Sequence, residues 1–282
     1  MDVAIVTHQA LPLGAPDDHV LAASLRAKGL RVGFAPWNAP DVDWAAAAQT
    51  VVRSCWDYHK RPEDWLRWVD RVAMHTRVHN STQLLRWNTD KEYLLTLSRS
   101  GIRCVPSLFL REPSLGDLPG AVRSRGWSEL VIKPTIAASA RGARRFSVDA
   151  QMDLAQRHAS ELAASGGVLV QPYLPEVETQ LERSLVFIAS SFTHAYTKPG
   201  FSSDALGTTR IVRHIPSQAE LDTAVAVLDA LPSRTMYARI DLVPNRDGPL
   251  VMEVELIEPD LGLRLHEPAA QELADAIARG GV

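Results

Sequence analysis

The stretch RIDLVPNRDGPLVMEVELIEP, residues 239–259, limits the possible folds of this chain more than any other segment. It reads as two apolar strands joined by a turn at NRDG, which is typical of a β-hairpin. Acids nonetheless stand where a buried strand has apolar side chains: Asp241 on the first strand, Glu253 and Glu255 on the second. Because side chains alternate between the two faces of a strand, Glu253 and Glu255 point the same way, beside the strand of Asp241. Any fold of this chain must therefore accommodate three neighbouring carboxylates.

Three carboxylates on one face repel one another and lose hydration when buried, unless a positive charge compensates them. One explanation is that this face is exposed to solvent, or that Arg239 and other arginines pair with the acids. The other explanation is Mg²⁺, which favours a few carboxylates together with phosphate oxygens. The hairpin taken alone leaves both explanations open.

A candidate phosphate-binding segment lies upstream, in SELVIKPTIAASARGARRFSV, residues 128–148. The apolar strand LVI runs into Lys133, a loop of small residues that includes Ser139 follows, and RRFSV returns as a second strand. Small residues let backbone N–H groups approach an anion closely, and a lysine can reach the same anion as a point charge. Each feature alone is equally typical of a solvated strand edge and an ordinary loop, but together with the acids they favour a Mg²⁺–nucleotide site.

The N-terminal part of the chain, to about residue 86, alternates strand patterns with helix patterns, which predicts a small parallel sheet. The strands are predicted at 3–7, 31–37 and 49–54, and the helices at 17–29, with Asp17 as its N-cap, and at 61–74. No G-x-G-x-x-G follows the first strand, so the dinucleotide fingerprint is absent. Ligands of such sheets bind beyond the carboxyl ends of the strands, so residues 7–18 and 53–59 are candidate substrate loops.

Composition argues against several classes of protein. The net charge is −3 with a pI near 6.3, and no basic stripe stands out, so a nucleic-acid partner is not expected. The two cysteines, Cys55 and Cys104, lack metal-ligand spacing. Only two thiols in a chain of this length favour a reducing compartment and no disulfide framework. No signal peptide or long apolar run is present, so we expect a cytoplasmic protein without a membrane partner. The sequence does not decide the oligomeric state, for which a homodimer is the default among soluble enzymes.

Five motifs follow one another in the order found in the ATP-grasp ligases, which the chain resembles from about residue 87 to residue 260. The motifs are NTDKEYL with Lys91, VIKP with Lys133 and its small-residue loop, VLVQPYL, the strand that begins at Glu182, and ARIDLV…VMEVELIEP. The first of them opens a predicted helix over 88–101 that Thr89 caps. The resemblance implies an α/β (α+β) class, the ATP-grasp fold with an N-terminal parallel-sheet pre-ATP-grasp domain. That domain would span residues 1–86, the central lid subdomain 87–172, and the C-terminal subdomain with the metal site 173–282.

The resemblance also implies a role for each candidate residue. ATP would be bound at its phosphates by Lys91, Lys133 and the loop containing Ser139, at its adenine by Gln171 and the backbone near Leu174, and at its ribose by Glu182. Mg²⁺ would be held by Asp241, Glu253 and Glu255, while Arg239 and Lys198 would face the transferred phosphoryl group or the nucleotide. The chain departs from the family pattern in three places: Gln171 replaces a common Glu, Glu255 replaces a common Asn, and the loop at 135–143 is poor in glycine.

The chemistry that the resemblance implies is activation of a carboxylate by ATP as an acyl phosphate, with release of ADP, followed by attack of a nitrogen. The segments THQALPLGAPDD, RSCWDYHKRPEDWLRW, RWNTDKEYL and MEVELIEP resemble those of the group that contains the O-ureido-D-serine cyclo-ligase of D-cycloserine biosynthesis. In that group the attack is intramolecular and closes a ring. The alternatives are an intermolecular ligase that joins an amino acid to an amine or peptide, and a non-catalytic ATP-binding module.

An amino-acid-like substrate needs an acid for its ammonium group and a cation for its carboxylate. The candidate substrate loops offer four such residues: Asp17, Asp18, Arg53 and Asp57. The two aspartates at 17 and 18 are equally typical of helix caps.

Overall fold

The computed structural model describes residues 1–111, 114–138, 140–199 and 211–281. The strands in these ranges are β1 Val3–Thr7, β2 Val32–Pro36, β3 Gln49–Val52, β4 Arg77–His79, β5 Leu108–Leu110, β6 Glu129–Pro134, β7 Arg144–Ser147, β8 Val168–Pro172, β9 Glu182–Ile188, β10 Ser191–Lys198, β11 Val212–His214, β12 Tyr237–Val243 and β13 Leu250–Glu255. The helices are α1 Pro16–Ala27, α2 Pro62–Ala73, α3 Thr82–Thr89, α4 Tyr93–Arg99, α5 Leu118–Arg123, α6 Val148–Ala163, α7 Glu176–Thr179, α8 Gln218–Asp229 and α9 Glu267–Ala278.

The strands form three sheets. The first is parallel, with the order β2-β1-β3-β4. The second, β5-β8-β6-β7, and the third, β11-β10-β9-β12-β13, are antiparallel. This mixed architecture confirms the predicted fold class and the N-terminal parallel sheet. Each sheet falls within one of the three predicted segments, while the boundaries between domains stay a prediction.

The first sheet is covered on both faces, which explains why β1 is apolar throughout. Val3 and Ile5 pack with residues of α1 and α9, whereas Ala4 and Val6 pack with Trp65 on the other side. Helix α9 lies at the end of the chain, so the C-terminal segment contributes to the core of the N-terminal sheet. No helix in the described part of the chain is long and apolar enough to cross a membrane.

The third sheet has one apolar face and one face that carries charge. Leu185, Ile240 and Val254 belong to a buried cluster that includes residues of α4 and α8. The residues that alternate with them along β9, β12 and β13 point to the opposite face, where Arg239 and Glu255 lie. The apolar face therefore fixes the register of these strands, and the register places the charged side chains.

Two predicted helix starts are wrong. Helix α3 ends at Thr89, whose hydroxyl donates to the Leu85 carbonyl at 2.7 Å, and α4 begins only at Tyr93, after a break at Asp90. Helix α1 begins at Pro16, one residue before the predicted cap Asp17. A short side chain that can cap a helix also has other hydrogen-bonding choices, and the tertiary contacts decide between them.

Candidate active site

A cavity of about 260 Å³ is lined by the second and third sheets and by the segment that joins α3 to α4. The residues around it include most of the predicted nucleotide and metal positions: Lys91, Lys133, Gln171, Leu174, Glu182, Lys198, Arg239, Glu253 and Glu255. Asp241 is 1% exposed and bonds to two of the lining side chains. Ser139, predicted to contact the phosphates, lies outside the described residues.

The strand register brings the acids of the hairpin together. Asp241 is the cross-strand partner of Glu253, and Arg239 is the partner of Glu255. On the other side of β12, Asp241 pairs with Ser184 of β9. Directly opposite residues in an antiparallel pair have Cβ atoms about 5 Å apart, so their side chains interact. The three carboxylates are thus neighbours, and a cation stands among them.

Asp241 is the most highly coordinated carboxylate of the site. Its Oδ1 accepts from the Ser184 hydroxyl at 2.7 Å and from Arg239 Nε at 2.9 Å. Its Oδ2 accepts from Lys198 Nζ at 2.6 Å and from Arg239 Nη2 at 2.9 Å. Burial acts to raise the pKa of this carboxyl, but Arg239 and Lys198 outweigh it and hold the pKa well below its usual range. Asp241 therefore remains ionised and fixes both cations.

Glu253 and Glu255 have different surroundings. Glu253 Oε1 lies 3.0 Å from Lys91 Nζ, and Lys91 with Lys133 lowers the pKa of Glu253 despite its burial. Glu255 pairs with Arg239. Burial raises the pKa of Glu255 to about 7; Arg239 acts in the opposite direction, and the charges of Asp241 and Glu253 raise it further. Negative charge at Glu255 is thus only partly compensated by the protein.

The donor set fits Mg²⁺ better than a metal that needs a complete protein cage. Within the described residues, no three His, Cys, Asp or Glu side chains form a group that could hold a metal ion. Mg²⁺ is usually bound by one or two carboxylates together with water and substrate phosphates. Glu255, whose charge is incompletely balanced, and its strand neighbour Glu253 offer carboxylate oxygens to the same cavity. The metal roles of Asp241, Glu253 and Glu255 stay predictions.

The two predicted phosphate-binding lysines differ in their contacts. Lys91 donates to the Ala137 carbonyl at 2.8 Å as well as pairing with Glu253, so it ties the small-residue loop to the hairpin. Lys133, at the end of β6, makes no hydrogen bond or ion pair through its ammonium group with any described residue. Burial lowers its pKa, although Glu253 acts in the opposite direction. An unpaired ammonium in a cavity is suited to an anionic ligand.

The predicted adenine and ribose contacts line the same cavity. Gln171 is 3% exposed, and its Nε2 donates to the Ser107 hydroxyl at 2.9 Å, which leaves its carbonyl oxygen free of that contact. Leu174 follows β8, where the chain has left the sheet ladder. Glu182 begins β9, 3.3 Å from Lys198 Nζ, and burial raises the pKa of Glu182 despite this lysine.

The predicted substrate residues separate into two groups. Asp17, Asp18 and Arg53 line a second, smaller cavity that shares Trp56, Glu258, Asp260 and Arg264 with the main one. Asp57 lines neither cavity; its carboxylate accepts from the Trp37 indole at 2.7 Å and from the Asn38 amide at 2.9 Å. The structure therefore brings three of the four candidates together beside the main cavity.

Sequence analysis did not single out Glu258, Asp260 and Arg264. All three lie within nine residues after Glu255, in IEPDLGLR, so the signal was a charged run after an apolar strand. Arg264 bonds to both Asp260 and Asp17, at 3.0 and 2.9 Å, and joins the two ends of the chain at the cavity wall.

His194 anchors the same wall and makes stability depend on pH. Its Nε2 lies 2.8 Å from the Leu261 carbonyl, and Nδ1 lies 2.9 Å from the Thr193 hydroxyl. Burial lowers the pKa of His194 from 6.5 to about 4, so below pH 6.5 the unfolded state binds more protons. The stability that neutral His194 contributes is complete above pH 6.5 and is lost as the pH falls towards 4.

His194→Gln should reduce the loss of unfolding free energy between pH 7 and pH 5 by about 2 kcal/mol, measured by urea unfolding. His75→Gln, at an exposed position, should leave that loss unchanged; equal pH dependence in all three proteins would contradict the prediction.

Comparison with known proteins places this arrangement in a family. Residues 3–80 match the family described as D-cycloserine synthetase DcsG, N-terminal domain. The cycloserine biosynthesis protein DcsG of Streptomyces lavendulae is 30% identical over 281 residues, an alignment that covers 92% of this chain and 91% of that protein. The chain belongs to the DcsG family.

Solved structures agree with this assignment. The crystal structure of D-cycloserine synthetase DcsG is 28% identical to this DcsG-family chain, with a TM-score of 0.89 and 99% of each chain covered. A RimK domain ATP-grasp protein from Sphaerobacter thermophilus, 17% identical with 98% of each chain covered, gives a TM-score of 0.73. D-alanine–D-alanine ligase from Bacillus anthracis, 14% identical with 99% of this chain and 96% of that one covered, gives 0.68. The last two show the fold alone. The predicted ATP-grasp fold is confirmed, and the chain is an ATP-dependent, C–N bond-forming ligase.

Proposed function

We propose that this ligase uses ATP and Mg²⁺ to cyclise O-ureido-D-serine to D-cycloserine, with release of ADP and phosphate. The oxygen-bound nitrogen of the ureido group stays in the ring, and the carbamoyl part is lost by hydrolysis with one water as carbon dioxide and ammonia. The observation that carries the proposal is the main cavity, where the unpaired ammonium of Lys133 and the charge network around Asp241 converge in a chain of the DcsG family. A cavity built in this way can hold a polyphosphate and a carboxylate side by side.

The nucleotide would lie between the second and third sheets. Lys133 would bind its phosphates through the ammonium that has no partner among the described residues, and Lys91 would support the loop beside them. Gln171 and the backbone at Leu174 would contact the adenine, and Glu182 would accept from the ribose hydroxyls. All five line the cavity, so these contacts need no rearrangement of the sheets.

The activated carboxylate would lie near Arg239 and Lys198. Both cations are held by Asp241, so their charges are fixed before the phosphoryl group arrives, and charge fixed in advance stabilises a transition state without reorganisation. Asp241, Glu253 and Glu255 would hold Mg²⁺, which neutralises phosphate charge when bound. The acyl phosphate that forms is sensitive to water, and the small residues Ala137 and Ala138 line the cavity where they can help to exclude it.

Ring closure follows from attack by a nitrogen of the same substrate on the acyl phosphate carbon. The C–N bond forms as the bond between that carbon and the phosphate oxygen breaks, and the phosphate leaves. Holding both reacting groups in one small site raises their effective concentration greatly.

The test is to incubate the purified protein with ATP, Mg²⁺ and O-ureido-D-serine, and to measure ADP and product mass in the same sample. ADP together with a product of the mass of D-cycloserine is the expected result. ADP with a linear amide formed from an added amino acid would favour the intermolecular ligase. ATP binding without ADP release from any of these substrates would overturn the proposed activity.

A further inference from the structure

Among the described residues around the second cavity, every acid except Glu258 forms side-chain hydrogen bonds with other residues. Asp17, Asp18 and Asp260 each accept hydrogen bonds from backbone N–H groups, and Asp17 and Asp260 also pair with Arg264. Glu258, in contrast, makes no side-chain hydrogen bond or ion pair with another described residue, and it lines both cavities. A partly buried carboxylate without a partner is unfavourable in the free protein and is available to a ligand.

A second group with unused bonding capacity lies in the same cavity. Arg53 is 3% exposed; its Nε donates to Asp18 at 3.3 Å and its Nη2 to the Pro259 carbonyl at 2.8 Å. Its Nη1 is buried and has no hydrogen-bond partner. Buried donors are nearly always bonded in native proteins, so this one favours a ligand that brings an acceptor.

The backbone around Glu258 is held firmly by the N-terminal domain and the third sheet. The Trp56 indole donates to the Glu258 carbonyl at 3.1 Å, and the Tyr237 hydroxyl donates to the Ile257 carbonyl at 3.2 Å. Arg239 Nη1 and the Tyr196 hydroxyl donate to the Asp260 carbonyl, at 3.1 and 2.6 Å. The Glu258 side chain is therefore presented from a fixed backbone at the border of the two cavities.

We propose that the border between the two cavities is the amino-acid subsite. There Glu258 binds the ammonium group of the substrate, and Arg53 Nη1 donates to the carbonyl oxygen of the ureido group at the other end of the substrate. The inference rests on the proposed function and assigns the recognition of that substrate. The α-carbon of O-ureido-D-serine bears both the ammonium and the carboxylate, so a carboxylate near Arg239 brings the ammonium to the border. The second cavity, about 20 Å³, has room only for the tip of a small polar group.

The electrostatics of the border support a cation there. Burial raises the pKa of Glu258 to about 8, and repulsion from Glu255 adds to this effect, although Lys91 opposes it. The ammonium of a substrate would supply the positive charge that this side chain lacks. Glu255 is a proposed ligand of Mg²⁺, and the other acids at the border are bonded to protein groups. Glu258 is therefore the acid that is available to bind the substrate's ammonium.

The test compares two ligands in two proteins by calorimetry, with a non-hydrolysable ATP analogue and Mg²⁺ present. The ligands are O-ureido-D-serine and its counterpart without the amino group, 3-(ureidooxy)propanoate. Glu258→Gln should weaken binding of O-ureido-D-serine by roughly 10- to 100-fold, because a charged hydrogen bond is lost, and should leave binding of the counterpart unchanged. The variant should melt at the same temperature as the wild type or higher, because the Glu258 side chain makes no bond with another described residue that the substitution could remove.

The controls separate this inference from the proposed function. Glu272→Gln, on the exposed side of α9, should bind both ligands as the wild type does. If Glu258→Gln binds O-ureido-D-serine unchanged, or weakens both ligands equally, the subsite is wrong. If the wild type binds O-ureido-D-serine through Glu258 but releases no product from ATP, the proposed reaction alone is wrong. Absence of binding to the wild type would overturn both.

Discussion

Replacement of Glu253 by glutamine is expected to lower kcat/KM for ligation by roughly 1000-fold, because it removes a charge on which two groups depend. Its carboxylate holds the Lys91 ammonium at 3.0 Å and is a proposed ligand of Mg²⁺. Glutamine keeps the volume and one oxygen, and Lys91 retains the Ala137 carbonyl, so the fold should persist. The measurement is the rate of ADP release as a function of Mg²⁺ concentration, which should reach saturation only at higher Mg²⁺ in the variant.

The matched control for Glu253 is Glu129→Gln. Like Glu253, Glu129 lies on a strand and pairs with a cation, in this case Arg145 at 2.8 Å, but it is partly exposed and lines neither cavity. Its rate and Mg²⁺ dependence should match those of the wild type. A Glu253→Gln enzyme that keeps more than about a tenth of the wild-type rate at low Mg²⁺ would remove Glu253 from the metal site.

The contact between the three hairpin acids could be predicted from the sequence because it depends on local rules. Alternation along β13 sets Glu253 and Glu255 on one face, and the short turn fixes which residues of β12 lie opposite them. Of the two explanations considered for their charge, pairing with Arg239 is observed, and Mg²⁺ stays a prediction. Arg239 pairs with Asp241 and Glu255, and Glu255 nevertheless keeps a raised pKa, so a further cation near it would be favourable.

The surroundings of the acids around the second cavity could not be predicted in the same way because their contacts are long-range. Asp17 was considered as a helix cap, but its carboxylate accepts from Leu263 N–H, 246 residues away. Whether an acid is free for a ligand depends on the partners that folding brings to it. Asp17 and Glu258 look alike in the sequence, and only tertiary contacts show that the first is engaged and the second is not.

The break between α3 and α4 shows the same limit at short range. Thr89 is of a residue type that favours the N-cap, so the sequence predicts a helix start there. In the structure the Thr89 hydroxyl bonds back to Leu85, and the Lys91 N–H donates to the Thr135 carbonyl at 2.9 Å. The contact with the small-residue loop interrupts the helix, and the interruption directs the Lys91 ammonium towards Glu253.

Replacement of Arg239 by methionine is expected to lower kcat by roughly 1000-fold while changing the affinity for ATP by less than about threefold. The guanidinium binds Asp241 through two nitrogens, pairs with Glu255 and donates to the Asp260 carbonyl, so its position is fixed on four sides. Charge fixed in this way acts on the transferred phosphoryl group in the transition state rather than on bound ATP. The measurement is kcat from ADP release beside the ATP dissociation constant from calorimetry.

Two further variants show whether such a loss is chemical or structural. Arg239→Lys keeps a positive charge beside Asp241 but cannot form the planar two-nitrogen contact, so it should fold like the wild type and still be slow. Arg31→Met removes an arginine that also binds an aspartate through two nitrogens, at 3.1 and 2.9 Å, but on the surface and outside both cavities, and should keep full activity. Wild-type kcat in Arg239→Lys would show that only the charge matters. Wild-type kcat in Arg239→Met would remove Arg239 from the reaction, because the buried network would then serve the stability of β12 alone.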